Sequence, residues 1–331
     1  MVITQTPFRM SFFGGGTDFP DFYKEHGGAV ISATMDKYCW VTVRHLPPFF
    51  DYKTHLTYSK TETVNSYDEI NHPAIRECMR RMDMKEIRLT YDADLPAQTG
   101  LGTSSSFAVG MINAFSCLKG EYVDKRKLAD EATYLERVLC KEIGGVQDQI
   151  AVAFGGLNKI TFRGSGYEVD PIIISTARKN TLNTNLMLFF TGFSRFSSDI
   201  QVSTQKAIPK KKSKLLEMLT LVDESEKVLT NKNTDLIKFG ELLDYTWKLK
   251  RGISPAVSSD EIDILYDIAK KAGAVGGKLL GAGGGGFLLF YVEKEKQLAV
   301  KEALAKLLHV PFQFEDYGAR VIYYVPEPLD L

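Results

Sequence analysis

The chain has 331 residues, and its 41 Lys plus Arg balance 41 Asp plus Glu, leaving no formal net charge. At ~150 residues per domain, that length suggests about two domains. With 44% hydrophobic and 25% charged residues, a disordered, collagenous or disulfide-stapled chain is excluded. The neutral balance leaves no electrostatic footprint for nucleic acid or an anionic membrane, so an anionic ligand must be held by a local site.

Cys39, Cys78, Cys117 and Cys140 form no C-x-x-C pair, which argues against a zinc ribbon or a redox dithiol. Four free thiols fit a reducing cytoplasm. The first ten residues include Gln5, Pro7 and Arg9 and lack the apolar core of a secretory signal. No apolar run approaches the ~20 residues that span a bilayer. A cytoplasmic location is therefore expected.

Short aromatic and β-branched runs predict strands over residues 8–13, 38–45 and 87–91, with a helix over 67–82 between the last two. Residues 105–118 place Phe107, Met111, Ile112, Phe115 and Leu118 at helical spacing. Asp124 is placed to cap a further helix running to about residue 142. Residues 157–162 read as a strand. The pattern loosens over 163–185, so the domain boundary is set at residue 175, giving units 1–175 and 176–331. In the second unit a strand at 186–190 precedes helices over 197–207, 212–229, 235–250 and 259–272. Strands at 287–292 and 320–325 flank a last helix, 294–308. Strands and helices do not alternate strictly, so the fold class is α+β. Lys210, Lys211, Lys212 and Lys214 read as a solvated helix start.

Three glycine-rich segments stand out: Gly14-Gly15-Gly16-Thr17-Asp18, Gly100-Leu101-Gly102-Thr103-Ser104-Ser105-Ser106, and the run from Gly281 to Gly286. A Walker A loop fails at Gly277-Lys278, because Ala272 and Leu279 occupy required positions. Gly281, Gly283 and Gly286 satisfy G-x-G-x-x-G, but a strand follows where a dinucleotide fold needs a helix. In the second segment the glycines allow close backbone approach, and the hydroxyls meet the unpaired amides of a helix start. That arrangement can seat a phosphate. Local chemistry alone leaves this reading and simple helix capping equally open. Four consecutive glycines flanked by Leu279-Leu280 and Phe287 point to close backbone packing rather than a surface linker.

Glu136 and Asp148 lie on either side of Gly144-Gly145, where a reversal would bring two carboxylates to one site suited to Mg²⁺. In isolation Glu136 reads as a surface ion-pair partner and Asp148 as a turn or cap residue. Arg9 and Asp18 read either as a structural ion pair or as a charge and a sugar-binding carboxylate beside the first glycine segment. The five histidines show no metal-binding spacing.

Taken in order, Pro7-Phe-Arg9 with Asp18, the segment 96–104 and the segment from Lys278 to Gly286 resemble the three motifs of the GHMP kinase superfamily. The resemblance spans residues 7–286. It implies a ribosomal S5 domain 2-like N-terminal domain, a ferredoxin-like C-terminal domain, and ATP in the cleft between them. It implies that Gly100, Leu101, Gly102, Thr103, Ser104, Ser105 and Ser106 wrap the phosphates, that Ser104 and Glu136 hold Mg²⁺, and that Asp148 is the base with Arg9 opposite. Gly15, Gly16, Thr17, Asp18, Gly283 and Gly284 would meet the small-molecule acceptor.

There are departures from the family pattern. The phosphate motif ends Thr103-Ser104-Ser105-Ser106 rather than Ser-Ser-Ala-Ala, and the glutamate of galactokinases is replaced in the first motif, which argues against galactose. The version Phe12-Phe-Gly-Gly-Gly-Thr-Asp18 is similar to heptose 7-phosphate kinases and to the kinase part of L-fucokinases. This implies phosphorylation of an anomeric hydroxyl, with heptose 7-phosphate favoured and a free sugar such as L-fucose as the alternative. A sugar sensor without catalysis is a further alternative, opposed by the joint presence of Arg9, Glu136 and Asp148. Candidate cations for a 7-phosphate pocket are Arg195, Lys206, Lys248 and Arg251.

Overall fold

Two long apolar strands form the frame. In this computed structural model, which describes residues 1–164, 166–192 and 197–326, β1 (Val2–Phe13) and β2 (Gly28–His45) pair antiparallel. β1 is buried along almost its whole length, so it reads as continuously apolar and aromatic rather than alternating. A short helix, α1 (Pro20–His26), links the two strands. β3 (Thr54–Thr57), β4 (Thr61–Val64), helix α2 (Pro73–Arg81) and β5 (Ile87–Ala93) extend the sheet on the β2 side. The single helix expected over 67–82 is broken. A 3₁₀ turn at Tyr67–Glu69 precedes α2, because Pro73 starts the helix and forces His72 to be extended.

Helix α3 (Thr103–Leu118) lies across β1 and β2 and is buried on nearly all sides. Helix α4 (Lys125–Tyr134) starts at Asp124, whose carboxylate accepts the Lys127 amide as expected. It does not run to residue 142. A π turn, Leu135–Leu139, ends it at Cys140. Helix α5 (Gln147–Phe154) leads into β6 (Leu157–Arg163), which pairs with the first half of β2 and with β7 (Gly166–Pro171). The loosened segment therefore contains β7 and helix α6 (Thr176–Thr184).

The second half builds an antiparallel sheet in the order β11-β8-β10-β9. It uses β8 (Leu186–Phe190), β9 (Gly276–Leu279), β10 (Phe287–Tyr291) and β11 (Leu308–His309). Its helices are α7 (Ser197–Ala207), α8 (Lys212–Thr230), α9 (Ile237–Arg251), α10 (Asp260–Ala272) and α11 (Gln297–Ala303). α11 is shorter than the expected helix 294–308, since β11 takes its end. The last strands, β12 (Phe314–Glu315) and β13 (Arg320–Tyr324), pair with β2 and β1, so the chain returns to the first sheet after the second is complete.

One apolar cluster joins the halves. Phe8, Phe12 and Phe13 of β1 meet Leu221 and Val222 of α8, Phe239 and Leu243 of α9, and Leu289 of β10. The Phe239 ring sits edge-on to Phe12 and Phe13, with centroids 5.4 and 5.1 Å away. These contacts fix α9 against the end of β1, where the first glycine segment begins.

Candidate active site

The end of β1, the start of α3 and the loop before α5 converge. Arg9 sits on β1, where its amide donates to the Leu101 carbonyl (3.0 Å) and its Nη1 to the Gly100 carbonyl (2.6 Å). Its Nε and Nη2 reach the two carboxylate oxygens of Asp148 at 2.8 and 2.6 Å. This is a two-pronged, charge-assisted pair. Its members differ in access, with Arg9 4% and Asp148 22% exposed. Asp148 is therefore the carboxylate that can touch a ligand, and Arg9 holds it from behind.

Gly102 takes a left-handed backbone (φ 73°) and turns the chain into α3. The Ser106 amide donates to the Gly102 carbonyl (2.8 Å), and the amides before it stand at the helix start, where no earlier turn offers them a carbonyl. The hydroxyls expected around phosphate divide. Ser104 is exposed and donates to Glu136 Oε1 (2.6 Å). Ser105 is buried on Glu136 Oε2 (2.9 Å), and Ser106 on the Pro7 carbonyl (2.9 Å). The hydroxyls of Ser105 and Ser106 are thus engaged within the fold. Leu101 is fully buried and acts only through its backbone.

Glu136 rides on the π turn, a local widening that recurs at functional sites. It is 1% exposed and accepts hydrogen bonds from Ser104, Ser105 and Gln149. The Gln149 Oε1 atom beside it is buried without a partner. One carboxylate, one accessible hydroxyl and an orphaned amide oxygen suit a hard cation that completes its shell with phosphate and water.

Asp18 closes the first glycine segment. It is 2% exposed. Its Oδ1 accepts the Gly16 amide (2.9 Å), and its Oδ2 accepts the Gln147 side chain (2.9 Å) and amide (3.3 Å). Burial raises its pKa, and the Asp148 charge adds to that, although the hydrogen bonds pull the other way. A Cβ at Gly145 would fall inside the Asp18 carboxylate, which is why a glycine stands there. Thr17 has no exposed surface. Its hydroxyl donates to the carbonyls of Gly14 (2.8 Å) and Ala29 (2.9 Å) and so shapes the loop. Gly15 and Gly16 remain half-exposed.

The third glycine segment packs backbone on backbone. A Cβ at Gly281 (φ +74°) would strike the Gly100 Cα, and one at Gly286 would strike the Thr99 carbonyl. Gly283 packs against Val257, and the Gly284 amide donates to the Val257 carbonyl (3.0 Å), so Gly284 presents no free donor.

Sequence reasoning missed two buried lysines here. Lys250, at the end of α9, donates to the Gly281 carbonyl. Lys278, on β9, donates to the Phe12 carbonyl (2.8 Å). The α9 spacing carried the signal, since Phe239, Leu243, Trp247 and Lys250 fall on one face and the lysine continues an apolar stripe. Two of the surface candidates are paired elsewhere. Lys206 is exposed, Lys248 pairs with Asp244 (2.6 Å) and Arg251 pairs with Asp263 (3.0 Å). Arg195 lies outside the described residues.

Residues 70–156 match the GHMP kinases N terminal domain, and residues 226–310 match the GHMP kinases C terminal domain. The chain belongs to the GHMP kinase family. These are ATP-dependent phosphotransferases, and this chain is one. The α+β architecture above is the family's two-domain fold. A D-glycero-alpha-D-manno-heptose 7-phosphate kinase of Campylobacter jejuni is 29% identical over 318 residues, 92% of this chain and 93% of that protein. An L-fucokinase/L-fucose-1-P guanylyltransferase of Bacteroides fragilis is 23% identical, aligned over 90% of this chain and 35% of that protein. Among solved structures, a D-glycero-D-manno-heptose 1-phosphate kinase from Bacteroides thetaiotaomicron superposes with a TM-score of 0.79 at 24% identity, covering 98% of this chain and all of that one.

Proposed function

We propose that this GHMP kinase transfers the ATP γ-phosphoryl group to the anomeric hydroxyl of D-glycero-D-manno-heptose 7-phosphate, giving the 1,7-bisphosphate for nucleotide-activated heptose synthesis. The observation that carries the chemistry is the Arg9–Asp148 pair, which presents one accessible carboxylate, with Arg9 tied to the Gly100 and Leu101 carbonyls just before α3. The Campylobacter relative, aligned nearly end to end, supports the choice of acceptor.

In this reading Asp148 orients the acceptor hydroxyl and takes its proton as the oxygen–phosphorus bond forms and the bond to the ADP oxygen breaks. Arg9 holds Asp148 in place through two hydrogen bonds. The amides of residues 103–105 bind phosphate oxygens, with Gly100 and Gly102 allowing close approach. Ser104 and Glu136 would hold Mg²⁺, which neutralises phosphate charge when bound. Asp18 acts from behind Gly16 and Gln147, fixing the loop that lines the acceptor side. Residues 1–175 and 176–331 form the two proposed domains, with β12 and β13 lent back to the first sheet. No helix among the described residues is long and apolar enough to cross a membrane, and we propose a cytoplasmic enzyme without a nucleic-acid partner.

The test is sugar-dependent ADP release from Mg-ATP across heptose 7-phosphate, L-fucose, D-galactose, D-mannose and mevalonate. Turnover confined to heptose 7-phosphate is the expected result. Turnover with an unphosphorylated sugar would move the assignment to the L-fucokinase type, and silence with ATP still bound would favour the sensor.

A further inference from the structure

The mechanism above leaves Lys250 and Lys278 unused. Lys250 is 9% and Lys278 2% exposed, and each hydrogen-bonds only a backbone carbonyl. Among the described residues, neither has a carboxylate within ion-pair distance. The charged groups facing them are Arg9, Asp18 and, for Lys250, Asp148. Arg9 and Asp148 neutralise each other as a bonded pair. That leaves Asp18 as the one carboxylate outside that pair that faces the two buried lysines. A buried cation without a matching anion is costly, and a protein interior normally removes it, pairs it or strips its proton. Here two lysines are kept, both pushed by burial toward the neutral amine.

Their positions join the three glycine segments. Lys278 grips the Phe12 carbonyl, just before the loop that ends in Asp18. Lys250 grips the Gly281 carbonyl, and Gly281 lies directly on Gly100, whose carbonyl holds Arg9. An ammonium group has three donors, and Lys250 spends one on Gly281. We propose that Lys250, backed by Lys278, receives a phosphoryl dianion, supplying at the acceptor side the positive charge that balances a bound phosphate. The inference rests on the kinase reading. Two groups share this chemistry: the phosphate ester already on the acceptor sugar and the γ-phosphoryl leaving its anhydride in transfer. Lys278, the deeper of the two, is a positioning residue that sets the loop carrying Asp18.

The electrostatics agree with this placement. Burial lowers the Lys250 pKa to about 8, and the Arg9 charge adds to that, while Asp18 and Asp148 oppose it. Burial also lowers Lys278 well below its ordinary value, with Lys250 and Arg9 adding to the effect. A dianion arriving beside Lys250 restores its proton, so binding above pH 8 should take up protons.

The experiment compares wild type with Lys250→Met and Lys250→Arg. ATP and acceptor are varied separately, using heptose 7-phosphate and the unphosphorylated heptose, and melting temperature is followed in parallel. If the acceptor's phosphate is the ligand, Lys250→Met raises KM for heptose 7-phosphate by about 10- to 100-fold, leaves KM for ATP unchanged, and is partly rescued by arginine. If the γ-phosphoryl is the ligand, kcat falls by a similar factor with both KM values unchanged. Either result supports the proposal. Values of kcat and both KM within twofold of wild type in Lys250→Met would overturn it.

Should Lys250→Met fail to fold, calorimetry of the wild-type enzyme at pH 8.5 in buffers of different ionisation enthalpy decides. Proton uptake on binding heptose 7-phosphate or Mg-ATP is expected, and none with either ligand overturns the proposal. If the wild-type enzyme turns over no sugar, the acceptor assignment fails, and proton uptake with Mg-ATP or inorganic tripolyphosphate still tests Lys250.

Discussion

The two sides of the site are built from different materials. On the α3 side, serine hydroxyls at the helix start and the Gln149 amide hold a single carboxylate, Glu136. On the acceptor side, buried Arg9, Asp18, Lys250 and Lys278 gather behind the partly exposed Asp148. Amides at a helix start bind any polyphosphate and need no counter-charge. Buried charges are expensive and tied to position, so they belong where a bond is made and a particular acceptor is chosen. In the proposed reading, the nucleotide side therefore supplies generic grip, and the acceptor side supplies chemistry and selectivity.

The sharpest way to break that contrast is Asp148→Asn. Turnover should fall by about 10²–10⁴-fold while nucleotide affinity stays within about twofold, checked by steady-state kinetics and ATP titration. A comparable loss in nucleotide binding would merge the two sides. Glu136→Gln is the counterpart on the helix side. It should raise the Mg²⁺ concentration for half-maximal rate by about 10- to 100-fold and leave KM for the sugar unchanged.

Gly281→Ala tests whether the sides depend on a shared backbone contact. Its positive φ (+74°) and its seat on Gly100 predict a loss of about 2–4 kcal/mol, read as a lower melting temperature. Both ligands should then bind more weakly together.

The smallest effect is a stability gain. Lys250 has a folded pKa of about 8 against an ordinary 10.5. The folded state therefore binds this proton less well than the unfolded chain. The destabilising charge is fully present below pH 8 and fades as pH rises towards 10.5. Lys250→Met should accordingly melt about 2–4 °C higher than wild type at pH 7, and the gap should close by about pH 10.5. A gap that widened with pH would contradict the account of Lys250 as a charge held for a ligand.

Much of this was legible in the sequence. The glycines at 100 and 102 and the serines after them predicted a bent loop feeding a helix start, and the α3 spacing was read correctly from residue 105. Asp124 announced its helix, because capping is a local event. What failed had mixed causes, local at Pro73 and non-local elsewhere. The break at Pro73 and the π turn at Leu135–Leu139 interrupt otherwise helical spacing, and β9 was hidden because Gly276 and Gly277 lack strand propensity yet are buried against β10. In the site, side-chain type alone could not show that Ser105, Ser106 and Thr17 turn inward while Ser104 faces out. Lys250 was passed over for its charged neighbours, Lys248 and Arg251, which lie outside the stripe that buries it. A lysine in phase with an apolar helix face was the signal, and it needed the partner loop at Gly281 to give it meaning.

The central claim is that the Asp148 side directs the γ-phosphoryl to one hydroxyl of a sugar that already carries phosphate. Phosphorus NMR of the product formed from Mg-ATP and D-glycero-D-manno-heptose 7-phosphate tests it most directly. One new sugar phosphate resonance, coupled to the anomeric proton, is expected beside an unchanged 7-phosphate. A new phosphate on any other carbon, or ADP formed without a phosphorylated sugar, would contradict it.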